Sequence, residues 1–447
     1  MSEVNLAEIE AALLARWPET RISPTLERIS LLCDYLGSPQ LSYPTIHIAG
    51  TNGKTSTTRI IDSLCQELGL RTGRFTSPHL ESILERVSIN GEAVSESTFI
   101  KSYLDIAPYL ALVDEKTANP LSFFEVMTAL SFVAFAEHPV DVGIFECGMG
   151  GEWDSTNVIQ SKVAVITPVG LDHMEYLGNS IEEIASTKSG IIKGNEFVIL
   201  ASQQREAAQA LLKRCAQQGA TPLREGIEYE VVKRTVAVGG QLLTIRGIYG
   251  IYEDLYLPLH GKHQAGNAAT ALATAEVFAG ESQLDNELVA KALAAATSPG
   301  RCEIIGREPT IMIDAAHNPH GAASLRETIK SEFNFDKVIV IFAPMGDKDI
   351  SGFLQEIAPV VDHLIISRNS SHRSADTDLV KKIASGIFEE AECESNLDAA
   401  LRRAKEIALN GQGIESCAIL VTGSVVTAGE MRALVRKIDR NSREGEK

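Results

Sequence analysis

The 447-residue chain lacks any run approaching the roughly 20 apolar residues that a membrane-spanning helix needs, which argues against an integral helical membrane protein. It also lacks the basic opening of a secretory signal. It starts MSEVNLAEIEAALL, acidic and amphipathic, so a cytoplasmic protein is expected. Positive charge is in deficit: 41 Lys and Arg against 59 Asp and Glu leave a formal net charge of −18, a field that repels nucleic acid and makes it an unexpected partner. Anionic small molecules remain admissible, because loops and helix ends can bind them locally against the global field. The seven cysteines (33, 65, 147, 215, 302, 393, 417) include no C-x-x-C and are odd in number. That spacing excludes a disulfide framework or a paired-thiol metal site and fits reduced, buried thiols. No tandem repeat or low-complexity tract is present, only a polar tail from Arg440 that is expected to fray.

What is present is α/β alternation. At 447 residues, two or three domains are expected. Tyr43–Ala49 reads as a buried strand, followed by a glycine-rich turn and a helical stretch with Ile60, Ile61, Leu64 and Leu68 on one face, stopped at Gly69. Helical spacing at Phe123–Ala136, strands at Val140–Glu146, Val163–Val169 and Phe197–Leu200, and a helix at Glu206–Gln218 continue the pattern. Ser180 and Glu183 form a capping box for a helix through Lys188. These elements predict a P-loop-type, mostly parallel sheet. Tyr229–Leu259, broken by Gly239-Gly240, Gly247 and Gly250, predicts a small antiparallel meander, and helices resume at Gln264–Phe278 and Asn286–Ala295. Ser298-Pro299-Gly300 is the expected hinge. Strands at Ile311–Asp314, Val338–Phe342, His363–Ser367 and Cys417–Thr422 then predict a second, Rossmann-like α/β domain. The expected domains are 1–299 and 300–447.

Gly50-Thr51-Asn52-Gly53-Lys54-Thr55 carries the clearest chemistry. Glycines let backbone N–H groups turn inward around phosphate oxygens, the helix N-terminus adds positive potential, Lys54 reaches β- and γ-phosphates, and Thr55 approaches a magnesium shell. The loop is shorter than the full phosphate-loop pattern, with Ile48 where its first glycine would stand. Magnesium wants hard oxygen ligands. Glu146 ends the strand VDVGIFE beside CGMGG, and His173 follows the strand VAVITPV, both at strand carboxyl ends where open α/β sheets bind ligands.

Taken in order, AGTNGKTS (49–56), FTSPHL (75–80) with Glu85-Arg86, ECGMGGEWDSTNV (146–158), LDHMEYLG, IASTKSGIIK (184–193), HQAGNAATAL (263–272), SPGR (298–301) and DAAHNPHG (314–321) resemble the Mur ligase superfamily, and within it its folylpolyglutamate synthase and dihydrofolate synthase branch. The resemblance implies an ATP-dependent ligase that adds L-glutamate to folates, and also to dihydropteroate, through an acyl-phosphate. By the same resemblance, Ser77, Glu146 and His173 hold magnesium, and Lys188 occupies the place of a carbamylated lysine at a second metal. Asn267 and Arg301 contact ATP, and Asp314 its ribose. His317, Arg86 and Ser424 match positions for substrate and glutamate, and Phe124-Glu125 lies where the pteridine is received. Lys54, His173, Lys188 and His317 are the catalytic candidates. Ala315 and Ser189 depart from the family's usual glycine and alanine. Glutamate-chain extension alone, a peptidoglycan-type ligase and a regulatory NTPase are the rivals. Against the second stand TSPHL and the short stretch before Gly50, and the third would not need a DAAHNP motif in another domain. A monomer acting on small molecules is expected.

Overall fold

The computed structural model describes residues 5–18, 23–194, 196–409 and 416–445. Met1–Val4 of the acidic start, and Arg21 and Ile22, lie outside them. The chain divides into two compact units. One comprises Met1–Pro258 and Gln264–Thr297, the other Leu259–His263 and Ser298–Lys447.

In the first unit, strands β1 (Thr45–Ala49), β2 (Thr72–Phe75), β3 (Val87–Ile89), β4 (Glu92–Ala93), β5 (Val142–Glu146), β6 (Ser161–Ile166), β7 (Phe197–Leu200) and β8 (Thr221–Arg224) form one sheet in the order β4-β3-β2-β5-β1-β6-β7-β8. All pairs are parallel except those made by β3 and β4, which add an antiparallel edge. β1 is buried along its whole length, as a strand covered on both faces must be, which explains its continuous apolar and β-branched run. The helices Leu6–Leu14, Glu27–Tyr35, Glu96–Lys116 and Phe123–Glu137 share an aromatic-rich core with Phe75 and Phe145. A second core gathers Ala164, Ile166, Val198 and Leu200 with the helices Ile181–Lys188 and Arg205–Gln218.

The meander is β9 (Glu230–Ala237), β10 (Gly240–Arg246) and β11 (Ile251–Leu257), antiparallel as expected. It is tied to the helix Lys262–Ala279 by Glu276, whose carboxylate accepts from Ile248 N (2.6 Å), Tyr249 N (3.2 Å) and the Tyr252 hydroxyl (2.8 Å).

The second unit holds β12 (Glu303–Gly306), β13 (Thr310–Ile313), β14 (Lys337–Phe342), β15 (His363–Ile366), β16 (Ala391–Cys393) and β17 (Cys417–Thr422), in the order β12-β13-β17-β14-β15-β16, parallel but for β12. Leu259–His263 is fastened within this unit by Glu332, whose buried carboxylate accepts from His260 Nδ1 (3.1 Å) and Gly261 N (2.7 Å), with the imidazole against Phe333.

Two expectations need correction. The strand expected over 163–169 stops at Ile166, because Pro168 has no N–H to continue a ladder and its carbonyl turns to another task. The described part of the tail expected to fray from Arg440 is helical, since the helix Val425–Gly445 runs through it. All seven cysteines are free thiols, and only Cys393 is exposed.

Candidate active site

Register places the site. Parallel pairing sets Ile48 beside Glu146 and Ala49 beside Ile166, so β1, β5 and β6 end together and their following loops share one edge. Such an edge is where open α/β sheets bind ligands. The phosphate loop leaves β1 there and is seated on the segment after β6. Thr51 N and Asn52 N donate to Pro168 O (3.0 and 3.3 Å), and Thr51 Oγ1 exchanges two 3.0 Å hydrogen bonds with the backbone of Gly170.

Both loop glycines are dictated by their surroundings. Gly50 has φ +149° and would press a side chain into Thr167, and Gly53 has φ +89° with Asn267 Oδ1 2.5 Å from where a Cβ would stand. Asn267 is thus placed against the loop. Its Nδ2 donates to Gln264 Oε1 (3.0 Å), and Gln264 Nε2 donates to Ser56 Oγ in the first turn of the next helix (3.3 Å).

The loop faces two lysines and one carboxylate. Lys54 Nζ donates to Gly50 O and Thr51 O, both at 3.1 Å. Lys188 Nζ donates to the same Gly50 carbonyl at 2.8 Å and is buried. Burial first, and then the charge of Lys54, lower the Lys188 pKa to about 7. Glu146, 1% exposed, accepts from Thr55 Oγ1 at 2.8 and 3.0 Å and from Ser77 N at 3.4 Å. The Thr55 hydroxyl and the Glu146 carboxylate, far apart in sequence, therefore bring hard oxygen donors together, with the Ser77 backbone amide beside them, the chemistry that suits magnesium. Among the described residues no group of three or more His, Cys, Asp and Glu gathers, so an ion here would depend on hydroxyl and non-protein oxygens beside Glu146. His173 adopts φ +50° at the head of the short helix Met174–Leu177, with Nε2 3.9 Å from Asp172.

A second group lines the same sheet edge from the β2 side. Arg86 Nε donates to His79 Nδ1 (2.9 Å), and its guanidinium lies 4.9 Å from the Phe123 ring centroid. Phe124 packs on Phe75 and on Gly148 of the glycine-rich turn, where a Cβ would collide with its ring. Glu125 is spent on structure. It pairs with buried Arg28 (2.9 and 3.1 Å) and accepts from Ser122 N and Oγ (both 2.8 Å), closing a capping box. Arg28 is the partner that sequence reading did not supply, although S-F-F-E at 122–125 is a legible capping signal.

In the second unit, Asp314 is 7% exposed and accepts from Cys302 N through Oδ2 and Ala316 N through Oδ1, both at 2.8 Å. Ala315 N donates to Gly300 O (2.8 Å), which binds the Ser-Pro-Gly-Arg turn to the end of β13. Arg301 Nη1 donates to Gly300 O (3.3 Å), and His317 Nδ1 donates to Ala315 O (3.0 Å). Ser424 opens the last helix. Its Oγ accepts from Thr427 N (3.0 Å) and from Asn369 Nδ2 (3.3 Å).

Comparison with known proteins adds to this geometry. Residues 48–275 match the model of the Mur ligase middle domain, and residues 300–425 that of the Mur ligase glutamate ligase domain. A dihydrofolate synthase/folylpolyglutamate synthase of Mycobacterium tuberculosis is 44% identical, covering 96% of this chain and 94% of that protein. A solved structure of M. tuberculosis folylpolyglutamate synthase complexed with ADP superposes with a TM-score of 0.92 at 44% identity, covering 96% of this chain and 98% of its own. Escherichia coli FolC in complex with DHPP and ADP gives a TM-score of 0.85 at 28% identity, covering 98% and 99%.

Proposed function

Since the chain belongs to the Mur ligase family, and within it to the dihydrofolate synthase/folylpolyglutamate synthase branch, we propose that it uses ATP to join L-glutamate to folates and to dihydropteroate. The observation that carries the reading is Glu146 held against Thr55 at the mouth of the phosphate loop, with Lys54 and Lys188 on the loop's own carbonyls.

A carboxylate does not condense with an amine in water, because it is a poor electrophile and hydroxide a poor leaving group. ATP supplies the remedy: its γ-phosphoryl group passes to the carboxylate, the glutamate nitrogen attacks the acyl-phosphate, the C–O bond to phosphate breaks, and inorganic phosphate leaves while the amine loses its proton. The protein's part is positioning and charge neutralisation. The loop amides and Lys54 grip the phosphates. Glu146, with the Thr55 hydroxyl and Ser77, would hold a magnesium ion, which would supply positive charge to neutralise the phosphoryl oxygens.

His173 and a carbamylated Lys188 would hold a second metal, the carbamate supplying an anionic oxygen ligand. With a pKa near 7, Lys188 has the neutral amine that reaction with carbon dioxide requires. Asn267 and Arg301 contact ATP, Asp314 its ribose, Arg86, His317 and Ser424 the incoming glutamate or folate carboxylates, and Phe124 the pteridine. Glu125 supports that pocket through Arg28. Apart from Leu259–His263 and Ser298-Pro299, which belong to the second compact unit, residues 1–299 form the ATP-binding domain and 300–447 the C-terminal domain of a cytoplasmic monomer. No described helix is long and apolar enough to cross a membrane.

The test is ADP release by the purified protein. It should require both L-glutamate and either dihydropteroate or tetrahydrofolate. Release without an acceptor acid would support a regulatory NTPase, and incorporation into tetrahydrofolate alone would reduce the activity to chain extension.

A further inference from the structure

Beneath the metal-side carboxylate lies a buried polar chain that the mechanism does not use. His47, on β1 two residues before the strand's end, is fully buried, as are Cys147 and Thr156, and Asp154 nearly so. His47 Nε2 stands 2.8 Å from Thr156 Oγ1 and 3.1 Å from Cys147 Sγ. Thr156 Oγ1 stands 2.6 Å from Asp154 Oδ1 and 3.5 Å from the Cys147 sulfur.

Proton counting fixes the directions. A threonine hydroxyl has one proton, and the carboxylate at 2.6 Å takes it in preference to the sulfur at 3.5 Å. Thr156 Oγ1 must therefore accept from His47, so the imidazole is protonated on Nε2. Its Nδ1 is buried with no hydrogen-bond partner, as a neutral ring of that tautomer allows. Burial lowers the His47 pKa well below the usual range. The chain continues through Asp154, which accepts from Thr156 N (3.0 Å) and, by Oδ2, from Met149 N (2.9 Å).

The two ends of this chain matter. His47 belongs to the strand that delivers the phosphate loop, and Cys147 to Met149 form the turn that leaves Glu146. A backbone hydrogen bond from Cys147 N to Ile48 O at 2.9 Å carries the β1–β5 pairing one step past Glu146. A hydrogen-bonded link through side chains holds what the ladder no longer holds.

We propose that His47 is a positioning residue for Glu146: its Nε2–H, through Thr156 and Asp154, fixes the turn after β5 against the phosphate-loop strand and so sets the carboxylate's place beside Thr55. This rests on the reading of Glu146 as the magnesium-holding carboxylate. Partners of this outer kind change metal affinity or activity by about 10- to 100-fold when removed.

The experiment compares wild type with His47→Phe, His47→Gln and Glu146→Gln. Mn2+ binding in the presence of ADP is followed by electron paramagnetic resonance, with the Mg2+ dependence of ADP release alongside. Glutamine can place an N–H where Nε2 stands, and phenylalanine fills the space without one. His47→Phe should weaken Mn2+ binding and lower kcat by about 10-fold while KM for ATP moves less than about twofold, and His47→Gln should stay within about threefold of wild type. If His47→Phe binds Mn2+ as wild type does while Glu146→Gln does not, the positioning role is overturned. It is overturned equally if His47→Gln loses as much as His47→Phe. If Glu146→Gln itself leaves Mn2+ binding unchanged, the metal reading of Glu146 fails and the proposal falls with it.

Discussion

Replacing Gly53 by alanine should destabilise the first unit in two separable parts. Gly53 has φ +89°, a conformation that costs a residue with a Cβ about 1–2 kcal/mol. The new Cβ would also stand 2.5 Å from Asn267 Oδ1. That side chain cannot swing away freely, because Nδ2 is bonded to Gln264, which is bonded in turn to Ser56. Overpacking of this kind costs about 1–3 kcal/mol, so the substitution should cost about 2–5 kcal/mol in all. Asn267→Ala alone should cost about 1 kcal/mol for the lost hydrogen bond. In the Asn267→Ala background the collision is gone, and Gly53→Ala should then cost only the backbone part, leaving a coupling of about 1–3 kcal/mol. Urea unfolding followed by tryptophan fluorescence reads this unit alone, since the protein's two tryptophans, Trp17 and Trp153, both belong to it. Costs that add to within about 0.5 kcal/mol would refute the placement of Asn267 under the loop.

Other substitutions test other parts of the site. Lys54→Ala should cut ligation-dependent ADP release by at least about 100-fold while shifting unfolding by no more than about 1 kcal/mol, because it removes a developing-charge partner and only two part-buried hydrogen bonds to loop carbonyls. Near wild-type turnover would remove the phosphate-loop assignment. Arg28→Ala should cost about 3–5 kcal/mol by leaving Glu125 buried and unpaired, and the double change Arg28→Met/Glu125→Leu should recover much of it; a cost below about 1 kcal/mol for the single change would contradict the burial of that pair. In the uncarbamylated protein, burial and the charge of Lys54 lower the Lys188 pKa to about 7, against about 10.4 when unfolded. The folded state therefore carries the full cost of the buried ammonium below pH 7, and stability relative to Lys188→Met should rise from pH 7 toward pH 10 at up to about 1.4 kcal/mol per unit. A difference between the two proteins that stays flat with pH would contradict the lowered pKa.

Much of the fold was legible because its signals are local. β1, the loop and the helix Lys54–Glu67 occupy one uninterrupted stretch, and a glycine pair, a lysine and an apolar face specify them together. The meander announced itself through glycines at its turns. The antiparallel edge β3–β4 was not foreseen, being three and two residues long. The helix Glu96–Lys116 was hidden by an internal Pro108. For the site, strand ends pointed to Glu146, and Thr55 was expected near a metal, and the two meet at 2.8 Å. What could not be read is pairing across long separations. His47 and Thr156 lie 109 positions apart, and Arg28 and Glu125 lie 97 apart, so nothing in either segment signals the other. Glu125 illustrates the result: its position suggested a ligand, whereas its carboxylate is occupied by Arg28 and the cap of its own helix.

The second unit is not one contiguous stretch of chain. It takes Leu259–His263, which runs into the first turn of the helix Lys262–Ala279, and the remainder from Ser298 onward. A gene fragment opened at Ser298 would omit His260 and Gly261, removing two donors to the wholly buried Glu332 carboxylate. Phe333 would lose its imidazole neighbour in the same cut. Shuffling this half among relatives, or expressing it by itself, therefore calls for a five-residue graft as well as a boundary.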